Sequence, residues 1–343
     1  MALRSSAEYT KRYLLQGMDM ILVLGAGSYI GRLFCAELRR RGRDFTLVAA
    51  KDYTDFDTLF DCIRKTNPEF IINASGCCAG ADWDVCELAR EETLHANTIL
   101  PHIIAKVCLM TNTAWGHISS CAIYCGAKVA SEEGLVVEKR MNGNELLRLL
   151  AAKPERVHGY SELDEPNFSF RNIPCSFFSG TAALGEEAIR GIGANYIWRL
   201  GLPFNERDEP ENILHRLQND EKIYPGVNPL SHTDDFVRAC LDLRELQAPY
   251  GIYNVAHPGI VTTRQITEML AKILKPGRAL EFWEDEAEYY RDGKHALRPN
   301  CVVDVSKLAA VGIVLRPAAE AVEDSLRHWS AAPFSEELHR AAA

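Results

Sequence analysis

The sequence predicts an α/β fold in which helices cover both faces of a doubly wound parallel sheet, with a smaller C-terminal α/β region. Three observations predict it. An apolar run breaks into glycines near the start of the chain, strand and helix patterns then alternate, and the last third mixes short strands, loops and helices. With 343 residues, the chain can bury one large core or two linked ones.

The composition excludes several classes of protein. Hydrophobic residues make up 47% of the chain and charged residues 25%, which is ordinary for a globular protein. The net charge of −9, without a long basic run, argues against nucleic acid as a partner. No apolar stretch approaches the roughly 20 residues that a membrane helix needs, so we expect no membrane partner.

Eleven cysteines are scattered along the chain, and no secretory leader is recognisable before them. This pattern favours reduced thiols and a cytoplasmic location. Cys77, Cys78 and Cys86 could be imagined as metal ligands, but no Cys-x-x-Cys pair or histidine spacing supports that function. We therefore predict no metal site.

The first predicted strand covers residues 21–24, whose four apolar side chains suit a strand buried on both faces. A glycine turn follows, and then a helix that ends at Gly42. The turn fits G-x-x-G-x-x-G with a serine as its middle member. Missing side chains let the backbone approach a pyrophosphate, and the helix start attracts its charge. A dinucleotide site in a Rossmann-type sheet is thus predicted at Gly25, Gly27, Ser28, Tyr29, Ile30 and Gly31. A glycine turn in another kind of α/β domain is the alternative.

The second strand, at 45–50, ends in Ala50 and is followed by Lys51. An acidic residue at this position would bind the adenosine ribose of NAD. A cation without an acid favours a 2′-phosphate, and hence NADP(H) over NAD(H), although a solvated lysine is the alternative. The third strand ends in Asn73-Ala74-Ser75-Gly76, small residues that leave room for a ligand.

Strand and helix patterns continue to alternate up to residue 200. Further helices are predicted at 57–65, 84–97, 97–110 and 180–190, and further strands at 115–120 and 196–200. Residues 127–160 are charged and helical in pattern, which predicts an insertion over the ligand edge of the sheet. We divide the chain into an N-terminal extension at 1–17, a dinucleotide-binding domain at 18–200, a mainly substrate-binding region at 201–330 and a tail at 331–343.

Together, three stretches resemble the extended short-chain dehydrogenase/reductase superfamily. They are the glycine turn, the strand end at 73–76 and His117-Ile118-Ser119-Ser120. The resemblance covers about residues 18 to 330. Within the superfamily, the order of features is most similar to the dTDP-4-dehydrorhamnose reductases and the plant enzymes that form UDP-rhamnose. The motifs that carry this closer likeness lie at 82–87, 165–168, 251–259 and 298–308.

The resemblance implies NADP(H) at the glycine turn and a nucleotide-linked 4-keto deoxysugar bound mainly by the C-terminal region. Further cofactor contacts are implied for Lys51, Asp55, Phe56, Ala74, Ser75, Gly76 and Asn97. Substrate contacts are implied for Trp83, Arg199, His232 and Arg298. The two arginines could hold a diphosphate or brace carboxylates, and the segment of His232 also suits a helix start. A homodimer is suggested by analogy with the family.

The family's chemistry needs a Ser or Thr, a Tyr and a Lys. The tyrosine passes a proton as hydride moves, and the lysine lowers the pKa of the tyrosine. Ser120 matches the first position, but Phe178 stands at the tyrosine position and Ala182 at the lysine position. Since phenylalanine has no ionisable proton, we expect reduction by the usual mechanism to be lost.

Two residues are candidates for substitute acid or base chemistry. Cys121 lies one residue before the position at which epimerases of the family carry a cysteine, and a packed thiol is its alternative role. Tyr160 lies in a segment that leads back toward the site. The sequence leaves two functions open: a reductase or epimerase with an atypical active site, and a catalytically degenerate regulatory subunit that binds cofactor or nucleotide sugar.

Overall fold

The structure is a computed structural model, and it describes residues 20–50, 53, 55–76, 83–132, 134–138, 143–277, 281–284, 286–291 and 295–330. The predictions made for Lys51, residues 1–17 and residues 331–343 lie outside this part. The strands, in chain order, are β1 (Ile21–Leu24), β2 (Phe45–Leu47), β3 (Phe70–Asn73), β4 (Ala114–Ser120), β5 (Ala127–Ser131), β6 (Gly134–Glu138), β7 (Val157–His158), β8 (Asn195–Leu200), β9 (Leu202–Phe204), β10 (Leu230–His232) and β11 (Gly251–Val255).

The helices of the described residues lie between these strands and after them. They are α1 (Tyr29–Arg40), α2 (Phe56–Thr66), α3 (Trp83–Leu88), α4 (Arg90–Leu94), α5 (Leu100–Thr111), α6 (Gly143–Ala152), α7 (Phe177–Ile189), α8 (Ile213–Asn219), α9 (Thr233–Glu245), α10 (Thr263–Ile273), α11 (Glu286–Tyr289), α12 (Ser306–Ala310) and α13 (Ala318–Arg327). A π-helical turn, His95–Ile99, joins α4 to α5. None of the described helices is long and apolar enough to cross a membrane.

Six parallel strands form the central sheet, in the order β11-β8-β4-β3-β1-β2. From β1 the chain runs outward to β2 and then returns to β3 on the other side of β1, so strand order reverses between β1 and β3. In open parallel sheets, ligands bind at such a reversal, beyond the carboxyl ends of the strands. The predicted Rossmann-type doubly wound fold is confirmed.

Alternating side chains of the central strands divide the core into two layers. Ile21 and Val23 pack with α1 and α9 on one face, whereas Leu22 and Leu24 pack with α2 and α5 on the other. Every residue of β1 and β3 is buried, as the unbroken apolar patterns predict. Because helices cover both faces, the carboxyl edge of the sheet remains available to a ligand.

The inserted segment at 127–160 is helical only in part, which corrects the sequence prediction. Strands β5 and β6 form an antiparallel hairpin, and β7 pairs antiparallel with the other side of β5. β-branched residues such as Val129, Val136 and Val157 favour strands. The charged residues around them favoured the prediction of helix, and within this segment α6 is the described α-helix.

The C-terminal region has its own apolar core, built around Phe204, Leu214 and Ile266 together with the buried face of α13. It nevertheless supplies β11, the edge strand of the central sheet, and α9, which packs on α1. The residues after 200 therefore contribute both to the central sheet and to a core of their own, and the division at residue 200 stays a prediction. Strand β8 ends at Leu200, and the chain passes from there directly along the ligand edge of the sheet.

Candidate functional site

A cleft of about 950 Å³, including its part open to solvent, lies at the carboxyl ends of β3, β4 and β8. Ile30 at the start of α1 lines one end of it, and Ser120 at the end of β4 lines its floor. Phe178 and Ala182 of α7 line one wall, and Arg216 of α8 comes from the C-terminal region. Ile30 is the residue of the glycine turn that lines the cleft, which thus extends from the start of α1 past the predicted catalytic positions to the C-terminal region.

The three glycines of the turn have different physical roles. Gly25 has φ +71°, and a Cβ on it would lie 2.5 Å from the Ser75 backbone nitrogen. A Cβ on Gly31 would collide with the Gly25 carbonyl oxygen, so this glycine lets α1 pack against the turn. A Cβ on Gly27 would meet nothing within 4 Å. The backbone at Gly27 is therefore open to an approaching group, as a pyrophosphate requires.

Ser28, the residue at the middle glycine position, begins α1. Its Oγ accepts a hydrogen bond from the Gly31 amide at 3.0 Å and donates one to the Ala74 carbonyl at 2.8 Å. The hydroxyl of Tyr29 accepts a hydrogen bond from Asn205 at 2.9 Å, so this side chain points away from the cleft. The Gly31 amide is thus occupied, and the amides of Tyr29 and Ile30, which come before it at the helix start, are the ones that suit an anion. The turn fits a dinucleotide.

The other predicted cofactor residues divide into two groups. Ala74, Gly76 and Asn97 line the cleft, and the Ser75 amide is bonded to the Asn73 side chain at 3.1 Å. Asp55 begins α2 by accepting a hydrogen bond from the Thr58 amide at 3.0 Å, and Phe56 stacks on Phe60. Neither Asp55 nor Phe56 lines the cleft, and a cofactor role for them stays a prediction.

Part of the cleft lining is aromatic and apolar. Phe178 stacks on Trp83 with ring centroids 5.8 Å apart, and Ala182 lies one turn further along α7. The Ser120 Oγ accepts a hydrogen bond from the Ala122 amide at 3.1 Å. Among the cleft-lining residues that the structure describes, none is a tyrosine or a lysine. The cleft therefore keeps the serine and lacks the phenol and the amine.

Residues 18–329 match the family model of the RmlD substrate binding domain. The chain belongs to the RmlD substrate binding domain family. A curated relative from Arabidopsis thaliana is named as a trifunctional UDP-glucose 4,6-dehydratase, UDP-4-keto-6-deoxy-D-glucose 3,5-epimerase and UDP-4-keto-L-rhamnose reductase. It is 24% identical over 262 residues, which are 75% of this chain and 34% of the relative. This RmlD-family chain thus spans about a third of the length of that relative.

Two solved structures have a similar fold. The UDP-rhamnose synthase of Acanthamoeba polyphaga mimivirus has a TM-score of 0.74 at 16% identity, with 90% of this chain and 99% of that chain covered. A dTDP-4-dehydrorhamnose reductase of Bacillus anthracis, solved in complex with NADP, has a TM-score of 0.68 at 16% identity, with coverages of 91% and 98%. The resemblance found in the sequence is confirmed, and the structural likeness at these identities establishes the fold.

Cys121 lines the RmlD-type cleft, but its thiol is not suited to acid–base chemistry. Burial raises the pKa of Cys121 to about 12, and its Sγ lies 3.6 Å from the Arg199 carbonyl oxygen. The thiol therefore stays protonated at neutral pH. Of the two roles that the sequence left open for Cys121, the structure supports the packed thiol.

Tyr160, the other candidate acid, lies away from the cleft. Tyr160 does not line the cleft; its ring is buried and stacks on Tyr124 with centroids 4.6 Å apart. Its hydroxyl donates to the Cys125 carbonyl at 2.9 Å and accepts from the Asn167 amide at 3.0 Å. Burial also raises the pKa of the phenol well above its usual value. Tyr160 instead ties the inserted segment to the exit of β4.

Arg199 does not line the cleft either. Its side chain is fully buried and pairs with Glu186 at 2.7 Å, while Nη1 donates to the Tyr124 hydroxyl at 2.9 Å. Bracing a carboxylate, the alternative left open by the sequence, is therefore its role. His232 is likewise turned away from the cleft, with Nε2 3.1 Å from Glu206. Arginine and histidine are both common ligand-binding residues, but each of these side chains is directed toward a glutamate of the protein rather than into the cleft.

Arg298 lies behind the aromatic wall. Its guanidinium stacks over Trp83 at 5.4 Å from the ring centroid and bonds to Asp84 and to the Tyr289 hydroxyl, each at 3.1 Å. These contacts fix Trp83, and through it Phe178, whereas Arg298 itself does not line the cleft. Trp83 does line it, and the substrate contact implied for Trp83 stays a prediction.

Sequence reasoning missed several polar residues of the cleft. His117, Glu211, Arg216 and Asn228 all line it. His117 bonds to the Asn73 side chain at 3.1 Å, and burial lowers its pKa to about 4, so it stays neutral. The other three come from loops and a short helix of the C-terminal region, where no motif marks them. They are brought to the cleft only by the packing of that region.

Proposed function

We propose that the chain binds a nicotinamide dinucleotide, NADP(H) rather than NAD(H), together with a nucleotide-linked deoxysugar, as a binding or regulatory member of its family. One observation carries the proposal: the cleft that joins the glycine turn to Ser120 is intact, whereas Phe178 and Ala182 occupy the positions of the proton donor and its lysine. The names of the relatives, which include a UDP-4-keto-L-rhamnose reductase, support the ligand class.

Different residues of this chain would bind the cofactor and the sugar. The amides at the start of α1 and the open backbone at Gly27 suit the pyrophosphate. Bound NADPH would supply a hydride, but none of the described cleft residues offers a phenol or an ammonium to complete the transfer. Ser120 can orient a sugar oxygen by a hydrogen bond, and the pair of Trp83 and Phe178 excludes water from one side of the ligand.

Catalysis of sugar reduction with an unusual proton donor is the competing hypothesis. The substitutes suggested by the sequence do not favour it, because Cys121 has a pKa of about 12 and Tyr160 points away from the cleft. Glu211 is the carboxylate among the described cleft residues, and it lies in the C-terminal region rather than beside Ser120. A cytoplasmic location and a homodimer stay predictions from the sequence.

Isothermal titration of the full chain with NADPH, NADH, UDP-sugars and dTDP-sugars tests the proposal. The same samples are then analysed for product by mass spectrometry. We expect micromolar or tighter binding of NADPH and of one nucleotide-sugar class, without conversion of a 4-keto sugar nucleotide. Product formation at a rate typical of enzymes would establish catalysis and reject the binding role. Failure of every dinucleotide to bind would reject the cofactor site.

A further inference from the structure

Arg216 contributes a cationic side chain to the cleft that no motif identified. It lies on α8 and is half-buried. Among the described residues that line the cleft, it is the one arginine, and none is a lysine. The cleft of a chain with a net charge of −9 therefore receives its permanent positive charge from this residue.

The helix that carries Arg216 is firmly held. Asn212, fully buried, begins the helix by accepting a hydrogen bond from the Leu214 amide at 2.9 Å. Its Nδ2 donates to the Asn205 carbonyl at 2.9 Å, which ties the helix start to the chain that follows β9. Since Arg216 follows Asn212 by one helical turn, its backbone position is fixed before any ligand binds.

The guanidinium of Arg216 differs from the other arginines around the cleft. Arg199 is neutralised by Glu186 at 2.7 Å, and Arg298 by Asp84 at 3.1 Å. None of the ion pairs and side-chain hydrogen bonds of the described residues involves the Arg216 guanidinium, whose charge acts on the phenol of nearby Tyr289. An arginine that faces a cleft without a protein partner has its planar set of donors free for an anion, and this geometry matches phosphate oxygens.

Two diphosphates could meet this residue: that of the cofactor and that of the sugar nucleotide. The glycine turn and the start of α1 already provide a site for the first, at the end of the cleft formed by Ile30. Arg216 comes instead from the C-terminal region, which also supplies Asn228 and Glu211 to the cleft. From this placement we infer that Arg216 binds the diphosphate of the nucleotide-linked sugar. The inference rests on the proposed function.

The test is a titration of the full chain, saturated with NADP⁺, with UDP, dTDP and uridine. The variants are Arg216→Gln and Arg216→Lys, with Arg148→Gln as the matched control because Arg148 is exposed on α6, outside the cleft. Arg216→Gln is expected to weaken binding of the nucleoside diphosphate by about tenfold to a hundredfold and to leave uridine binding unchanged. Arg216→Lys is expected to be intermediate, since it keeps the charge but loses the two-pronged geometry.

Each other outcome overturns the inference in a recognisable way. Wild-type affinity of Arg216→Gln for the diphosphates would show that the residue does not bind them. An equal loss for uridine would indicate damage to the pocket, and a loss confined to NADP⁺ would assign Arg216 to the cofactor. If the wild-type chain binds NADP⁺ but neither diphosphate, the sugar-nucleotide half of the proposed function fails as well.

Discussion

Phe178 and Ala182 replace a phenol and an amine by groups that cannot transfer or tune a proton. Both side chains line the cleft, so a tyrosine and a lysine at these positions would reach the same space. We predict that Phe178→Tyr with Ala182→Lys raises NADPH-dependent reduction of a 4-keto sugar nucleotide by about a hundredfold, the usual contribution of a positioned general acid. The loss of NADPH absorbance measures the rate.

The matched control is Phe177→Tyr, which adds the same hydroxyl one residue earlier. Phe177 packs on Phe170 and under Arg90, away from the cleft, so this variant should show no gain. If the double variant binds both ligands yet reduces no faster than wild type, the site has diverged beyond these two positions.

For single residues, the sequence correctly predicts which side chains line the cleft when a motif fixes their position. It fails when packing decides the direction of the side chain. Ser120 and Phe178 line the cleft because a strand end and a helix with known register place them there. Arg199 occupies a strand position whose side chain enters the interior, where Glu186 meets it. An arginine is a typical ligand of a diphosphate, and the ion pair with Glu186 on α7 becomes visible only in the structure.

The strand, turn and helix at 21–40 form the element around which the cofactor site is built. Substitution of one glycine of the turn should affect cofactor binding, and substitution of another should affect stability. Gly27→Ala adds a methyl group that meets no protein atom within 4 Å, so we predict a melting temperature within about 2 °C of wild type. The same methyl group stands where a phosphate must approach, and NADP⁺ affinity measured by titration should fall at least about tenfold.

Gly31→Ala is the contrasting variant. Its Cβ would collide with the Gly25 carbonyl, which is backbone and cannot rotate away, so stability should fall by about 1–3 kcal/mol. Wild-type affinity of Gly27→Ala for NADP⁺ would mean that the pyrophosphate does not pass over this residue. Loss of stability in Gly27→Ala would contradict the open geometry of the turn.

Strands with an unbroken apolar pattern and the amphipathic helix α2 are predicted correctly, whereas the hairpin of the inserted segment is not. Strands β1 and β3 follow directly from their apolar runs. In the hairpin of β5 and β6, every residue of β6 is exposed, so burial imposes no alternation on that strand, and β5 has only two buried residues, Ala127 and Val129. Pairing between two adjacent strands stabilises it instead, and pairing leaves little trace in composition.

At the scale of the whole molecule, a buried ion pair joins the central sheet to the helix that lines the cleft. Arg199 of β8 donates to Glu186 of α7 at 2.7 and 2.9 Å, and Ser119 of β4 donates to the same carboxylate at 2.6 Å. Both charged side chains are fully buried. The pair therefore fixes the distance between the strand ends and the wall that carries Phe178.

Breaking this pair should destabilise the whole fold. We predict that Arg199→Met alone lowers the free energy of unfolding by about 3–5 kcal/mol, because Glu186 is left charged and buried. Arg199→Met with Glu186→Leu should recover much of the loss in urea unfolding, since no buried charge remains. The exposed pair of Arg190 and Glu165 is the control, and Glu165→Gln should cost less than about 1 kcal/mol. A double variant no more stable than Arg199→Met would contradict this account.

A second polar cluster lies in the C-terminal region, and it makes the free energy of unfolding depend on pH. The carboxylate of Glu206 is held by His232 Nε2 at 3.1 Å and lies 3.5 Å from Arg207. The hydrogen bond from His232, with the nearby charge of Arg207, lowers the pKa of Glu206 from 4.5 to about 2. The folded chain therefore binds this proton less readily than the unfolded chain does.

A lowered pKa in the folded state stabilises the protein at any pH above the unfolded value, and that contribution is lost as pH falls through the folded value. For Glu206 the loss should occur between about pH 5 and pH 2. We predict that Glu206→Gln is less stable than wild type by about 2 kcal/mol at pH 7, and that the difference shrinks toward zero near pH 2. Urea unfolding at several pH values measures it, with Glu155→Gln as an exposed control. A difference that stays constant over this range would show that Glu206 acts through packing rather than through its charge.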